Sequence, residues 1–379
     1  MGYYNYIENG NFKGAKGQKN LMLLVGNGFD IQCLNTLGVR GSTRYESFYY
    51  YLCSKGVTPE SNTLQSWMKS RKDEGKKDWC DFECAIMDHL KSNEIPNIQE
   101  LTADLTEVQN FFAEYLNKLI TPEIIKSIGE KIAKENLAIE GLQKFLGDLS
   151  ENDYRSLHFK DSLEHYLIYN IKVMNFNYTT LFDNYMYLDR DNFDPHPHKN
   201  IDTNFEFYPN PNGFQKIYND LGNFMNSKTI HSSNLMLEIE HPHGSQFVPK
   251  SMLFGFYENL NNADNSKYKD FLKNYWTQGD KKYQHLFPDT DLFIVFGLSL
   301  GKTDSWWWKN IIDTLRSGKS ELIIYYYDSG NNISSDDVKN MFLDASNCQL
   351  EIYERNYIKT RISVVTYTNN NELKAFRMS

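Results

Sequence analysis

Several short stretches of the chain carry residue types that can do chemistry, and one of them is Gly-Leu-Ser-Leu-Gly at residues 297–301. It matches the G-x-S-x-G pattern in which an α/β-hydrolase places a serine nucleophile between a strand and a helix. In that fold the histidine base follows the serine, whereas all nine histidines of this chain precede Ser299. A triad in permuted order stays open, but the pattern favours a small-residue turn in which Gly297 and Ser299 let a ligand approach the backbone.

A glycine-rich stretch, "VGNGFD", follows the first apolar run of the chain. Two glycines after a strand allow a tight turn and a close approach to a phosphate. The full dinucleotide-binding pattern needs a third glycine, and Ile31 stands at that position. We expect Gly26, Asn27 and Gly28 to contact a nucleotide, with a plain strand-to-helix turn as the alternative. Asp30 is expected to hydrogen-bond a ribose or a water, or to cap the following helix.

Polar side chains of two other kinds follow later apolar runs. "NFNYTT" contains Asn177, whose amide offers a donor and an acceptor and so suits a sugar hydroxyl or a water. The alternative is that Asn177 only satisfies backbone groups at the end of a strand. "EHPHGS" contains His241 and His243, and a neutral imidazole is a natural general base near pH 7.

Two H-x-H pairs raise the question of a metal site, since alternate residues of a strand face the same way. The pairs are His196 with His198 and His241 with His243. The first pair lies in a segment with the composition of a loop, and no acidic ligand has a defining spacing. We predict no metal site.

The apolar runs that precede these stretches predict the fold that positions them. Residues 21–25, "IKVMNFNY", "DLFIVFG" and "ELIIYYYD" are typical of strands buried on both faces. Alternation of such strands with helical patterns predicts an α/β fold, a Rossmann-like, mostly parallel sheet flanked by helices. We expect "LEIYERN" and "RISVVTYT" to be edge strands. In such sheets ligands bind at the carboxyl ends of the strands, where the polar stretches lie.

Three parts of the chain are expected from the distribution of these patterns. Residues 61–165 contain amphipathic helical patterns with no strand-like run, which predicts a helical insertion. Residues 1–20 form an N-terminal extension. Residues 21–60 and 166–379 then form the core.

Composition limits the function classes further. Of the 379 residues, 40% are hydrophobic and 23% charged, as in soluble globular proteins. The net charge of -9 argues against non-specific nucleic-acid binding, which needs a basic surface. The five cysteines contain no C-x-x-C, so neither a disulfide framework nor a zinc ribbon is indicated. No apolar stretch is long enough to span a bilayer and no signal core begins the chain, so we expect a cytoplasmic protein without membrane association.

Taken in order, the motifs "GNGFD", "DWCDFE", "NFNYT", "HG" and "FGLSLGKTD" resemble those of the abortive-infection AbiH family of bacterial phage-defence proteins. The resemblance covers residue 21 to about residue 310. It implies a role in antiviral defence, with a phage-derived trigger or partner protein. Asp304, which closes the last motif, is expected to contact the nucleotide. The family more often has histidine where Leu298 stands, so no role is assigned to that side chain.

The same motifs are similar to the sirtuin-like NAD-binding fold. In the defence members of that fold an asparagine and a histidine support hydrolysis of NAD, and the resemblance implies these roles for Asn177 and His243. Thr179 replaces an acidic residue of the sirtuin pattern, and the paired-cysteine zinc module is absent, so protein deacetylation is not expected. The corresponding segments are residues 26–28, 176–179, 243–244 and 297–300.

The resemblance therefore predicts an NAD glycohydrolase-like enzyme, with NAD as substrate or ligand and no tightly bound cofactor. One alternative is a non-catalytic nucleotide-binding sensor or partner-binding module. Another is a metal-dependent hydrolase of nucleotides or nucleic acid that uses the two histidine pairs. We also expect a homo-oligomer, because the tyrosine-rich helical insertion offers an interface.

Overall fold

A computed structural model gives the structure of the chain. It describes residues 2–76, 78–92, 97–187, 203–214, 217–258, 268–330, 332–368 and 373–378. His196 and His198 lie outside these ranges.

The core of the fold is a seven-stranded sheet with the order β3-β6-β2-β1-β7-β8-β9, and β4 and β5 form a separate antiparallel pair. The strands are β1 (Gly17–Val25), β2 (Leu167–Asn175), β3 (Phe205–Phe207), β4 (Ile217–Tyr218), β5 (Phe224–Met225), β6 (His231–Glu240), β7 (Leu292–Phe296), β8 (Glu321–Tyr327) and β9 (Ile362–Tyr367).

Six of the seven strands run parallel, and only the edge strand β3 is antiparallel to its neighbour. Numbered along the chain, the parallel strands have the order 3-2-1-4-5-6, which is that of dinucleotide-binding Rossmann folds. The chain first adds strands on one side of β1 and then returns to add strands on the other side. This reversal beside β1 is the point where open α/β sheets bind ligands. The predicted Rossmann-like, mostly parallel sheet is confirmed.

The strand register brings the predicted loops to one level. Val25 of β1 is paired with Asn175 of β2 and with Phe296 of β7. Met174 is paired with Glu240 of β6. The segments that follow β1, β2, β6 and β7 therefore leave the sheet side by side at its carboxyl edge.

Helices cover both faces of the sheet and fill the long connection between β1 and β2. No strand interrupts that connection in its described residues. The helices are α1 (Asn27–Thr36), α2 (Tyr45–Ser54), α3 (Thr63–Asp73), α4 (Phe82–Lys91), α5 (Ile98–Leu119), α6 (Pro122–Glu135), α7 (Leu137–Lys144), α8 (Glu151–Ser156), α9 (Leu181–Tyr185), α10 (Lys273–Thr277), α11 (Gly279–Lys282), α12 (Ser305–Arg316), α13 (Ser335–Ala345) and α14 (Ile352–Thr360).

The predicted edge strand "LEIYERN" is wrong, because this segment starts α14. A capping box forms there: the Glu351 side chain accepts from the backbone of the third helical residue, and the Glu354 side chain accepts from the backbone of Glu351. This local satisfaction of free N–H groups stabilises a helix start. The strand predicted from "RISVVTYT" is confirmed as β9.

Alternation along β1 divides the sheet core into two layers. Leu21, Leu23 and Val25 pack on the face covered by α1, α6, α7 and α9. Met22 and Leu24 pack on the opposite face, under α12, α13 and α14. All five side chains are buried because β1 is the central strand of the sheet, with β2 on one side and β7 on the other.

A third core lies inside the helical region between β1 and β2. There α2 to α5 pack together with residues 252–256 and 268–272, mainly through aromatic rings such as those of Phe48, Phe112 and Phe254. This core shares Tyr178 with the loop that follows β2. The helical region is thereby fixed over the carboxyl edge of the sheet. None of the helices in the described ranges is long and apolar enough to cross a membrane.

Candidate functional site

A cavity of about 990 Å³ lies at the carboxyl edge of the sheet. The loops after β1, β2, β6 and β7 form its floor, and side chains of the helical region and of the C-terminal segment form further walls. Every residue predicted from the sequence to be catalytic or nucleotide-binding lines this one cavity. What each residue does there stays a prediction. These residues are Gly26, Asn27, Gly28, Asp30, Asn177, His243, Gly297, Ser299 and Asp304.

The glycines join two loops of the cavity floor. The Gly26 N–H donates to the Phe296 carbonyl at 2.9 Å, and the Gly28 N–H donates to the Gly297 carbonyl at 2.8 Å. A Cβ on Gly28 would lie 2.6 Å from the Gly297 Cα, and Gly297 has a φ of +68°. Because both N–H groups already donate within the protein, the glycines let the loops pack closely, and a phosphate would need other donors.

The hydroxyl of Ser299 does not lie in a nucleophile elbow. The strand before it ends at Phe296 and the helix after it begins at Ser305, so the tight strand-to-helix turn of that motif is missing. Within the described part of the chain, no hydrogen bond joins Ser299 to a histidine. Ser299 is exposed on the cavity wall, which agrees with a turn that contacts a ligand.

The amide of Asn177 is a buried donor without a partner. Asn177 is 4% exposed and lines the cavity, and its Nδ2 has no hydrogen-bond acceptor among the described residues. An unpaired buried polar group costs about 1–3 kcal/mol. The Asn177 backbone N–H donates to Asn175 Oδ1 at 3.1 Å, which fixes the residue at the strand end. The donor therefore stays unsatisfied within the described part of the chain.

His241 contacts the backbone of Asn177 and is not one of the cavity-lining residues. Its Nδ1 lies 3.1 Å from the Asn177 carbonyl oxygen, and its Nε2 lies 2.9 Å from Asp183 Oδ1. Asn175 donates to the other Asp183 oxygen at 2.9 Å and closes the ring of contacts. Burial alone would lower the pKa of His241, but the Asp183 carboxylate and the Asn177 carbonyl raise it. A protonated His241 donates from both nitrogens and so clamps the backbone of Asn177.

Asp30 presents a half-satisfied carboxyl group to the same cavity. It is 1% exposed, and its Oδ2 accepts from the Thr179 hydroxyl at 2.6 Å. Its Oδ1 has no donor within the described ranges. Burial raises the pKa of Asp30 to about 7. Asp30 lies inside the first turn of α1 and does not cap that helix.

His243 lies in a crowded, buried wall of the cavity. It is 4% exposed, and its Nε2 lies 3.4 Å from the Tyr257 hydroxyl and 3.6 Å from Asp304 Oδ1. The Trp307 indole donates to that same hydroxyl at 2.9 Å. Burial and the nearby charge of Lys273 hold the pKa of His243 well below its usual value. The imidazole is therefore neutral and a weaker base than the sequence suggested.

A buried ion cluster supports this wall. Lys273 is 1% exposed and donates to Glu83 at 2.6 Å and to Asp304 Oδ1 at 2.9 Å. Burial raises the pKa of Glu83 to about 8, although the charge of Lys273 opposes this. Burial alone would lower the pKa of Lys273, but the Asp304 and Glu83 carboxyl groups raise it. Lys273 thus joins the two acidic side chains of this wall in one buried cluster.

Glu83, Lys273 and Tyr257 were not predicted from the sequence as site residues. Glu83 had a signal, since it ends the "DWCDFE" motif. Lys273 lies in a stretch of ordinary helical pattern, and Tyr257 follows a short apolar run, so no sequence signal marked either residue. The helical region brings Glu83 against Lys273 at the cavity wall, and Tyr257 contacts the cavity-lining His243 without lining the cavity itself.

No group of three or more His, Cys, Asp and Glu side chains in the described part of the chain is arranged to hold a metal ion. His241 and His243 have separate partners, Asp183 for the first and Tyr257 with Asp304 for the second.

The fold and the cavity define a class: an α/β protein with a Rossmann-type strand order and a cavity at the point where that order reverses. The family model described as bacteriophage abortive infection AbiH matches residues 22–326. The chain belongs to this AbiH family. No curated protein matches it.

Proposed function

We propose that this AbiH-family protein hydrolyses NAD, or a related nucleotide, at the bond between nicotinamide and ribose as its defence response. The observation that carries the proposal is the buried amide of Asn177, which has no partner among the described residues and lies on the wall of a cavity at the strand-order reversal. Buried polar groups are nearly always paired, so an unpaired one in a cavity wall needs an explanation, and we propose a bound ligand. The resemblance of the motifs to those of the sirtuin-like fold points to the same substrate class.

The chemistry suits the groups present. Cleavage of the nicotinamide–ribose bond passes through an oxocarbenium-like state in which the electron pair of the bond leaves with the nicotinamide. The protein then needs to hold the nucleotide still, to orient a water and to accept a proton. Asn177 orients the water or the ribose hydroxyls, and neutral His243 hydrogen-bonds the ligand. A cavity of about 990 Å³ is large enough for a ligand of nucleotide size.

The test is NAD turnover by the purified full chain, at rest and after addition of extract from phage-infected cells. Asn177→Ala is the informative variant, and Asn110→Ala, on the exposed surface of α5, is the matched control. We expect wild type and Asn110→Ala to consume NAD and release nicotinamide, and Asn177→Ala to consume at least tenfold less. Equal NAD consumption by wild type and Asn177→Ala in every condition would contradict the catalytic assignment.

A nucleotide-binding sensor without catalysis is the second candidate. It is favoured by Thr179, which stands where the sirtuin pattern has an acidic residue. A sensor predicts that NAD or ADP-ribose raises the melting temperature of wild type but not of Asn177→Ala, with no nicotinamide released.

A further inference from the structure

We propose that Asp30 is the proton acceptor of the hydrolysis, and that Thr179 is the positioning residue that sets how readily Asp30 takes the proton. This inference rests on the proposed function. The water oxygen bonds to C1′ of the ribose while the C1′–N bond breaks and its electron pair moves to the nicotinamide nitrogen. A proton of that water passes to Asp30 Oδ1 and is later released to solvent. The products are nicotinamide, ADP-ribose and one proton.

The geometry of the carboxyl group carries the assignment. Asp30 lines the cavity, is 1% exposed and is anchored through Oδ2 by the Thr179 hydroxyl at 2.6 Å. That anchor leaves Oδ1 as an acceptor with no donor in the described chain. Thr179 is two residues beyond Asn177, whose amide also lacks a partner. The hydrogen bond from Thr179 to Asp30 thus ties the carboxyl group to the loop that holds Asn177, and we place the attacking water at this loop.

The surroundings of Asp30 tune its proton affinity to the pH of the cell. Burial is the largest influence and raises the pKa to about 7, and the Thr179 hydrogen bond lowers it. The charged and titratable groups that face Asp30 come from three elements. Asp183 of α9 raises its pKa, His241 after β6 lowers it, and Cys33 lies on α1 itself. A general base is most effective when its pKa is near the working pH.

His243 is the less suitable base. Its Nε2 lies close to the Tyr257 hydroxyl and to Asp304, and the charge of Lys273 disfavours protonation. It keeps the role of a neutral hydrogen-bonding group beside the ligand. The base implied by the sirtuin-like resemblance is thereby replaced by a carboxyl group from the "GNGFD" motif.

The experiment measures kcat and KM for NAD from about pH 5 to about pH 9 for wild type, Asp30→Asn, Thr179→Val and His243→Gln. Asp30→Asn should lower kcat by about 10²–10⁴-fold with little change in KM. Thr179→Val should move the acidic limb of the kcat profile to higher pH, because the hydrogen bond that lowers the Asp30 pKa is lost, and should approach wild type at the alkaline end. His243→Gln should lower kcat without moving that limb. The asparagine and valine replacements keep the shapes of the original side chains, and ADP-ribose should still raise the melting temperature of both.

Two results overturn the assignment while the proposed function stands. One is a kcat for Asp30→Asn within tenfold of wild type. The other is an acidic limb that stays in place in Thr179→Val but moves in His243→Gln. If wild type releases no nicotinamide with any trigger, the proposed function fails and this assignment fails with it.

Discussion

The backbone N–H of Gly28 donates to the carbonyl oxygen of Gly297, with 2.8 Å between nitrogen and oxygen. The two residues are 269 positions apart along the chain, yet their backbones pack so closely that neither position has room for a side chain. A Cβ on Gly28 would lie 2.6 Å from the Gly297 Cα, and one on Gly297 would lie 2.8 Å from the Phe29 nitrogen. The loop after β1 and the turn after β7 therefore form one rigid unit beneath the cavity.

Gly28→Ala should lower the free energy of unfolding by about 1–3 kcal/mol, because the added methyl group meets backbone atoms that cannot move aside cheaply. Urea denaturation measures the change. Gly129→Ala is the control, since Gly129 lies in α6 and its added Cβ would meet nothing within 4 Å. That replacement should stabilise by about 0.5–1 kcal/mol through helix propensity. If both variants shift stability in the same direction, the close packing of the two loops is not a stabilising feature.

Asp183→Asn tests the clamp on Asn177. The pKa of His241 is raised in the folded protein, so its charged contact stabilises most below the unfolded pKa of about 6.5 and is lost as the pH rises through the folded value. The variant should therefore be less stable than wild type by about 1–3 kcal/mol at about pH 6, and the difference should shrink by about pH 9. Thermal unfolding at the two pH values measures this. A stability difference that does not change with pH would indicate that His241 is neutral in the folded protein.

Lys273→Met should destabilise strongly, by about 3–5 kcal/mol, because it leaves Glu83 and Asp304 as buried acids without their cation. Adding Glu83→Gln in the same chain removes one of these acids and should restore part of the loss. Chemical denaturation of the two single variants and the double variant gives their coupling energy. Additive losses, with no recovery in the double variant, would mean that the three side chains do not act as one cluster.

Much of the fold could be predicted because its strands are local features of the sequence. Apolar runs followed by glycine or polar residues gave β1, β2, β7 and β8. Since parallel strands end at a common edge, the positions of Asn177 and His243 near one another followed from the strand predictions alone. The prediction was wrong for the segment that starts α14. Its alternation of apolar and polar residues suggests a strand, whereas the capping box of Glu351 and Glu354 that starts the helix depends on backbone geometry.

The interior of the site depended on contacts that no local pattern records. The hydrogen bond from Thr179 to Asp30 joins residues 149 positions apart, and Lys273 reaches Glu83 across 190 positions. The first contact exists because β1 and β2 pair side by side, and the second because the helical region packs over the sheet edge. Burial also changes the proton affinities of the site residues, which the sequence does not show. It lowers the pKa of His243, so this imidazole is a weak base, and it raises the pKa of Asp30 to about 7.

Acid should destabilise the protein partly through His231 at the start of β6. This residue is 5% exposed, its ring centroid lies 4.9 Å from that of His165, and burial, with the charge of His165, lowers its pKa to about 4. Between the unfolded pKa of about 6.5 and this value the unfolded chain binds more protons, so the free energy of unfolding falls as the pH falls. His231→Leu should remove up to about 3 kcal/mol of that loss.

The measurement is urea denaturation of wild type and His231→Leu at about pH 7 and about pH 4.5. His158→Gln is the control, because the side chain of His158 is 71% exposed and its replacement should leave the acid loss unchanged. His243 is also buried and neutral, so His231→Leu should keep a residual acid sensitivity, and adding His243→Gln should reduce it further. An acid loss in His231→Leu as large as that of wild type would show that His231 takes up no proton on unfolding in this range.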